Sequence, residues 1–336
     1  APAPLRGSMT TRKRDDPAKG LALGVDLGGT KILAGVVDAA HRVLGRGKVK
    51  TPFAGGEAAL SEALVAACDA ALAEAGVGRE DVKALGLGAP GPLDAERGIV
   101  LRANHLAVKR YDVAKAFGAA FPRVTPRLEN DVRLAALGEA HLGAGRGARM
   151  MIAIWVGTGI GGGVVLDGKL WTGRNRNAGE IGQMLVDWKA AEPGTREGTF
   201  ELAAAKVGIG AYLRRQLEKG GRTSLKKVVS DEGARLKTSE LKAALDGGDA
   251  LAKKAVARSA KAVGIAMASL FDAISPDLFV LGGGVAVDLG ETYLADVRRW
   301  AEAFAFTTEL GSIEIAPAAL GDDAGLLGAA LYARGE

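Results

Sequence analysis

The feature that most constrains this chain is a repeat. Residues 21–44, LALGVDLGGTKILAGVVDAAHRVL, read as an apolar strand, a glycine turn, a second β-rich strand and a polar turn. Residues 151–171, MIAIWVGTGIGGGVVLDGKLW, repeat that order. Two such units, each opening one half of the chain, predict a duplicated α/β domain. The chain has 336 residues, 48% of them hydrophobic, enough to bury two cores.

The remaining elements follow from periodicity and punctuation. A helix is predicted over residues 56–75, a strand in VKALGLGAP (82–90), a long connection over 91–113, and a helix beginning near Arg133 after RVTPRLENDV. Helical spacing returns over 200–219 and 241–274, broken at Gly247-Gly248. PDLFVLGGGVA (276–286) reads as a buried strand ending in glycines, followed by a helix near 291–305, a short strand in SIEIAPA and a last helix over 323–334. The polar stretch 220–241 reads as a surface insertion.

Charge and cysteine content exclude several function classes. The net charge is +5, but three of those charges come from residues 1–20, where Arg6, Arg12, Lys13, Arg14 and Lys19 outnumber Asp15 and Asp16. The rest of the chain carries no electrostatic footprint for nucleic acid. Residues 1–20 read as a disordered tail or a vector-derived scar. Cys68 is the single cysteine, which rules out an internal disulfide and a multi-thiolate metal site. No apolar run approaches the roughly 20 residues of a spanning helix, and no signal-peptide stretch opens the chain, so the expected location is cytoplasmic, away from membranes.

The glycine turns resemble nucleotide signatures without matching them. In DLGGTK the order Gly29-Thr30-Lys31 is not the Gly-Lys-Ser/Thr of a Walker A loop, and a strand follows instead of a helix. GTGIGG (157–162) fits G-x-G-x-x-G letter by letter, yet it too leads into a strand, where a dinucleotide fingerprint must open a helix. What remains is a hairpin turn whose amides form an anion nest. Thr30 would add a hydroxyl, and Lys31 is either a charge for a phosphate or a solvated strand residue. Asp26 beside the turn would repel a bare phosphate, which points to Mg²⁺, directly or through water, between them.

Five short motifs in order, DLGGTK (26–31), END (129–131), GTGIGGGVVLDGKL (157–170), AGEIGQ (178–183) and LGGGV (281–285), together resemble the ROK family of bacterial sugar kinases and sugar-responsive repressors. The resemblance implies the actin-like ATPase fold, a duplicated ribonuclease-H-like α/β architecture with two domains flanking a cleft. The expected division is a small N-terminal domain of residues 21–128 joined by the helix 323–334, and a large C-terminal domain of residues 129–322. It also implies roles. Asp131 matches the general base, Asn130, Glu180 and Glu201 the sugar-hydroxyl ligands, and Gly91 and Asn104 further lining of the sugar pocket. Gly28, Gly29, Thr30 and Lys31 with Thr158 and Gly159 match the phosphate ligands, and Gly283 and Gly284 the adenosine contacts. From the residues alone, Glu129-Asn130-Asp131 at a strand-to-helix junction has a second reading, a helix N-cap.

The sequence departs from the family pattern in one region. Many members follow GEIG with a histidine and a cysteine cluster that binds zinc; here Gln183 stands at the histidine position and EPGTREGTFELAAA (192–205) has no cysteine. No zinc is expected, and Gln183 takes the place of the sugar-binding histidine. His41, His105 and His141 read as structural or surface residues. The implied activity is ATP- and Mg²⁺-dependent phosphorylation of a hexose, glucose at its 6-hydroxyl, by a cytoplasmic homodimer. The alternatives are a sensor or regulator that only binds sugar, a polyphosphate donor, or another hexose or an N-acetylhexosamine as acceptor. The family's repressors carry an added winged helix, for which the roughly 20 residues before the first motif leave no room.

Overall fold

The computed structural model describes residues 20–103, 108–231, 235–306 and 311–336. Asn104 and His105 lie outside the described residues. In the first half, β1 (Leu21–Leu27), β2 (Lys31–Val37) and β3 (Val43–Lys50) run antiparallel, α1 (Gly56–Ala75) crosses over, and β4 (Val82–Ala89) returns parallel to β1. Helix α1 fills the span its periodicity predicts. It is bounded by Gly55 at φ 89° and Gly76 at φ 68°, a left-handed conformation that costs a side-chain-bearing residue free energy.

Residues 91–113, read from sequence as a connection, instead carry a three-stranded antiparallel sheet of β5 (Leu93–Asp94), β6 (Ile99–Ala103) and β7 (Val108–Asp112). Its cross-strand partners Val100 and Tyr111 are both buried, and the Tyr111 hydroxyl hydrogen-bonds Ser61 Oγ of α1 at 2.8 Å. After α2 (Val113–Gly118), β8 (Arg127–Asn130) completes a five-stranded sheet of order β3-β2-β1-β4-β8. It passes directly into α3 (Asp131–Leu142), which starts two residues before Arg133. The Asn130 side chain sets that start by accepting from the amides of Val132 and Arg133.

The second half repeats the plan. β9 (Met150–Val156), β10 (Ile160–Leu166) and β11 (Lys169–Leu170) form the antiparallel part. Then come α4 (Phe200–Ala204), α5 (Lys206–Glu218), α6 (Lys226–Val229), α7 (Thr238–Asp246) and α8 (Ala250–Ile274), followed by β12 (Leu278–Gly282), α9 (Gly284–Phe304), β13 (Ile315–Pro317) and α10 (Asp323–Arg334). The sheet order β11-β10-β9-β12-β13 matches the first sheet strand for strand.

Three expectations need correction. The helix expected over 200–219 is two helices, because Ala205 is extended (φ −71°, ψ 168°) and the amides of Lys206 and Val207 are drawn to the carbonyls of Gly157 and Thr158. The helix after β12 begins at Gly284 and not near 291; Gly290 (φ 65°, ψ −150°) interrupts it, and that interruption hides the first segment in the pattern. The stretch 220–241 is not a mere surface insertion. Leu225, Val229, Leu236 and Leu241 bury against Ile209 and Leu213 of α5 to form a satellite core.

Each sheet has a helical layer on both faces. The first lies between α1 and α10, the second between α8–α9 and α3. Thus α3, which follows the first sheet, packs on β10 of the second, while α10, which follows the second, packs back on β1, β2 and β4 of the first. The two helices also pack on each other. Glycines permit this: a Cβ on Gly24 would overlap the Leu326 carbonyl, and one on Gly328 would overlap the Leu134 carbonyl.

Candidate active site

Strand register delivers the chemistry to one place. Asp26 of β1 pairs with Gly88 of β4, and Gly88 pairs with Glu129 of β8, so the carboxyl ends of three parallel strands present Asp26 and the Glu129–Asp131 segment side by side. Gly88 lies under the start of α3, where a Cβ would come within 3.2 Å of the Asp131 Cα. A cleft of about 970 Å³ opens beside this edge, lined from the first half by Gly29, Gly91, Asn130 and Asp131 and from the second by Thr158, Gly159, Glu180, Gln183, Glu201 and Gly283.

Asp131 is the first residue of α3, and its Oδ1 accepts from the Val132 amide at 2.9 Å. Burial pushes its carboxyl up to about 6, and the nearby Glu180 charge adds to the rise against that amide hydrogen bond. Burial likewise pushes Asp26 up to about 7, helped by the charges of Asp131 and Asp322 and opposed by Lys31. Two carboxyls that disfavour each other's ionisation sit together at the end of the sheet.

The two glycine turns face the cleft differently. In the first, Gly28 N donates to Lys31 O at 3.0 Å and Thr51 Oγ1 donates to Gly28 O at 2.7 Å. Gly29 reaches the cleft wall, Thr30 is exposed, and Lys31 Nζ is paired with Asp322 Oδ2 at 2.5 Å. In the second, Gly157 N donates to Gly159 O at 2.9 Å, and the carbonyls of Gly157 and Thr158 are tied to the start of α5. Gly283 (φ 85°) lies so close to the Val156 backbone that a Cβ would overlap it, and Gly284 opens α9 beside Thr238.

The rest of the lining carries polar side chains. Gly91 takes φ 95° against the Arg102 carbonyl. Glu180 Oε1 accepts from Arg133 Nη2 at 3.0 Å, and Gln183 is exposed to the cleft. Glu201 is engaged at both oxygens: Oε2 accepts from the Ile160 amide at 2.9 Å and Oε1 pairs with Arg196. His41 pairs with Glu336 at 2.8 Å and His141 bonds Gly168 O at 2.7 Å, both at other sites than the cleft lining.

Among the described residues, no group of three or more His, Cys, Asp or Glu is placed to hold a metal ion. Of the two carboxylates at this end of the sheet, Asp131 lines the cleft and Asp26 stands next to it with its carboxyl against Gly325 of α10. That donor set fits Mg²⁺, which keeps several waters and binds through one or two carboxylates plus substrate phosphates.

The ROK family model matches residues 22–336. This chain belongs to the ROK family. It is 30% identical over 308 residues to a glucokinase of Halalkalibacterium halodurans, covering 91% of this chain and 92% of that one. Its structure is similar to that of a ROK hexokinase from Thermus thermophilus, with a TM-score of 0.76 at 37% identity and coverage of 94% of this chain and 98% of that one. It is also similar to a ROK family glucokinase from Streptomyces griseus in complex with glucose and AMPPNP, with a TM-score of 0.74 at 32% identity and coverage of 94% and 100%. The duplicated halves are the actin-like ATPase fold of the ROK family.

Sequence reasoning missed several basic residues of this ROK site. Arg196 pairs with Glu201, and Lys206, Arg214 and Arg235 line the arm of the cleft beyond the second turn. Arg133 and Arg176 lie behind Glu180. Only Arg133 left a readable signal, its helical i,i+4 spacing from Glu129.

Proposed function

We propose that this ROK chain transfers the γ-phosphoryl group of MgATP to a hexose, with glucose at its 6-hydroxyl as the acceptor. The observation that carries the reading is one cleft lined by Asp131, Asn130, Glu180 and Gln183 together with Gly29, Thr158, Gly159 and Gly283. Hydroxyl acceptors and donors suit a pyranose rim, and glycine turns suit phosphates.

In this mechanism the sugar hydroxyl gives its proton to Asp131 Oδ2, since Oδ1 is held by the Val132 amide. Its oxygen forms the new bond to the γ-phosphorus as the bond to the β-phosphate oxygen breaks, and the proton on Asp131 then passes to water as ADP leaves. A carboxyl lifted to about 6 is ionised at neutral pH yet basic enough to accept that proton. Mg²⁺, held by Asp26 directly or through water, supplies charge neutralisation on the phosphates. Gly28, Gly29, Thr30 and Lys31 with Thr158 and Gly159 take the phosphates, for which Lys31 must exchange its Asp322 partner. Gly283 and Gly284 take the adenosine. Asn130, Glu180, Gln183 and Glu201 take the sugar hydroxyls, with Gly91 and, outside the described residues, Asn104 as the further family-matched positions, without zinc.

Residues 21–128 with the helix 323–334 form the small domain and residues 129–322 the large one, and closure between them excludes water. No helix among the described residues is long and apolar enough to cross a membrane, and the reading places the enzyme in the cytoplasm as a homodimer at the head of hexose metabolism, with no nucleic-acid partner. Lys206, Arg214 and Arg235 in the donor arm favour a second donor, inorganic polyphosphate. The deciding experiment is a coupled ADP-release assay with MgATP against a panel of hexoses and N-acetylhexosamines, with product formation from polyphosphate as a parallel arm. ADP released with glucose supports the reading, and silence across the panel with tight sugar binding would support a sensor instead.

A further inference from the structure

Behind the sugar wall lies a buried ionic network that the mechanism above does not use. Glu129 of β8 is 1% exposed and is engaged at both oxygens. Its Oε1 accepts from Arg133 Nη1 at 3.2 Å and from the Asn130 amide at 2.9 Å, and its Oε2 accepts from Arg176 Nη2 at 2.7 Å. Arg133, 5% exposed, has two more contacts: Nη1 donates to the Arg176 carbonyl at 2.8 Å and Nη2 to Glu180 Oε1 at 3.0 Å. Arg176 also pairs with Glu96 at 4.0 Å, so two guanidiniums meet three carboxylates.

The backbone marks this cluster as more than filler. Arg176 sits at φ 55°, in the left-handed region where a residue with a long side chain is strained. Glycine would sit there freely. An arginine held in that conformation, with its Nε and that of Arg133 buried and unpartnered, is kept by what its guanidinium does. It fastens the segment carrying Glu180 to the strand that carries Asn130 and leads into Asp131.

We infer that Arg133, Glu129 and Arg176 are positioning residues for sugar binding. Arg133 occupies Glu180 Oε1 and leaves Oε2 for a sugar hydroxyl, so the carboxylate is fixed in rotation; Arg176 fixes the loop that carries it. The network ties the sugar ligand to the element that bears the base, so both ends of the acceptor are set by one buried anion. The inference rests on the kinase reading above.

The test uses the full chain with Arg176→Gly, which accepts φ 55° and so keeps the turn, together with Arg133→Met and Arg133→Lys. Steady-state kinetics and hydrogen exchange of residues 172–183 without sugar are measured for each. Arg176→Gly and Arg133→Met are expected to raise the sugar KM about tenfold or more, the loss of a charge-assisted hydrogen bond, with the ATP KM within about twofold. Exchange in 172–183 should quicken without a change across the rest of the chain, and Arg133→Lys should recover part of the sugar KM. An active wild type whose variants keep both sugar KM and exchange overturns the inference alone. So does a rise in both KM values with exchange quickened throughout, the mark of a merely structural role. A wild type that releases no ADP with any hexose overturns the kinase reading and the inference with it.

Discussion

Asp131→Asn should make the protein more stable while stopping it from working. A rise of the carboxyl from 3.8 to about 6 corresponds to about 3 kcal/mol of folding free energy lost when the group is ionised, at about 1.4 kcal/mol per tenfold. Asparagine keeps Oδ1 as acceptor for the Val132 amide and removes the charge. Because Asp131 is half-buried and lines the cleft, water recovers part of the penalty, and we expect about 1–2 kcal/mol of net stabilisation at pH 7.5, or roughly 2–4 °C in Tm. The sign follows from proton linkage. Below pH 3.8 the carboxyl is protonated in both folded and unfolded chains and the two proteins should not differ. Between 3.8 and about 6 the unfolded chain ionises first, so wild-type stability falls as pH rises through that window and then levels off. Removing the Asp131 charge also eases the ionisation of Asp26, which adds in the same direction. Denaturant melts of both proteins at intervals from pH 4.5 to 7.5 read the gap directly, and turnover should drop about 100-fold or more for want of a base. A gap that does not widen with pH, or a variant less stable than wild type at pH 7.5, would refute the argument; turnover retained within about threefold would refute Asp131 as base.

The kcat/KM of the wild type for sugar should rise with pH along an acid limb near the value of about 6 of the Asp131 carboxyl; a rate flat from pH 5 to 8 would contradict it. Gln183→Ala should raise the sugar KM roughly 2- to 13-fold, the worth of one neutral hydrogen bond, and lower kcat less. Elemental analysis of the purified wild type should find no stoichiometric zinc, and one zinc per chain would reveal ligands outside those recognised. Gly328→Ala should lower stability by about 1–3 kcal/mol, read by thermal melting, because its methyl meets the Leu134 carbonyl of the neighbouring helix.

What the sequence discloses here depends on whether the cause of a feature is local. Helices α1 and α10 match their expected spans because their ends are written in glycine: Gly55 and Gly76 around one, Gly335 after the other, all at positive φ. Four of the five site motifs are legible because each is a short string at the end of a strand, of β1, β8, β9 or β12; AGEIGQ lies at a turn well after β11. The break at Ala205 is not legible, for no glycine or proline marks it; its cause is the hydrogen bonding of Lys206 and Val207 to a turn some 50 residues earlier. The satellite core was half-legible, as Leu225 and Val229 stand one helical turn apart within a charged stretch, a pattern outweighed by the surrounding lysines. Arg176 could not be found at all, because an arginine forced into the left-handed region carries no mark in the sequence.

The abundance of glycine, 49 residues, has a mechanical consequence at the site. Helix α10 touches both carboxyl-bearing segments: the Asp26 carboxyl fills the space a Cβ on Gly325 would take, and the Leu134 carbonyl, one turn beyond Asp131, fills that of Gly328. With no side chain on α10 at these two contacts, its backbone meets the Asp26 carboxyl and the α3 backbone directly. The C-terminal helix is thus a wedge under Asp26 on one side and under the first turn of α3 on the other. Its seat on β1 is equally close, at Gly24, so α10 cannot tilt without moving the strand that carries Asp26. The placement of the Asp131 charge, which adds to the burial that lifts Asp26, is therefore held by a helix that comes from the other half of the duplicated chain. An exchange of inner helices between the halves does what a local loop could not: it sets Asp131 and Asp26 from a single rigid element.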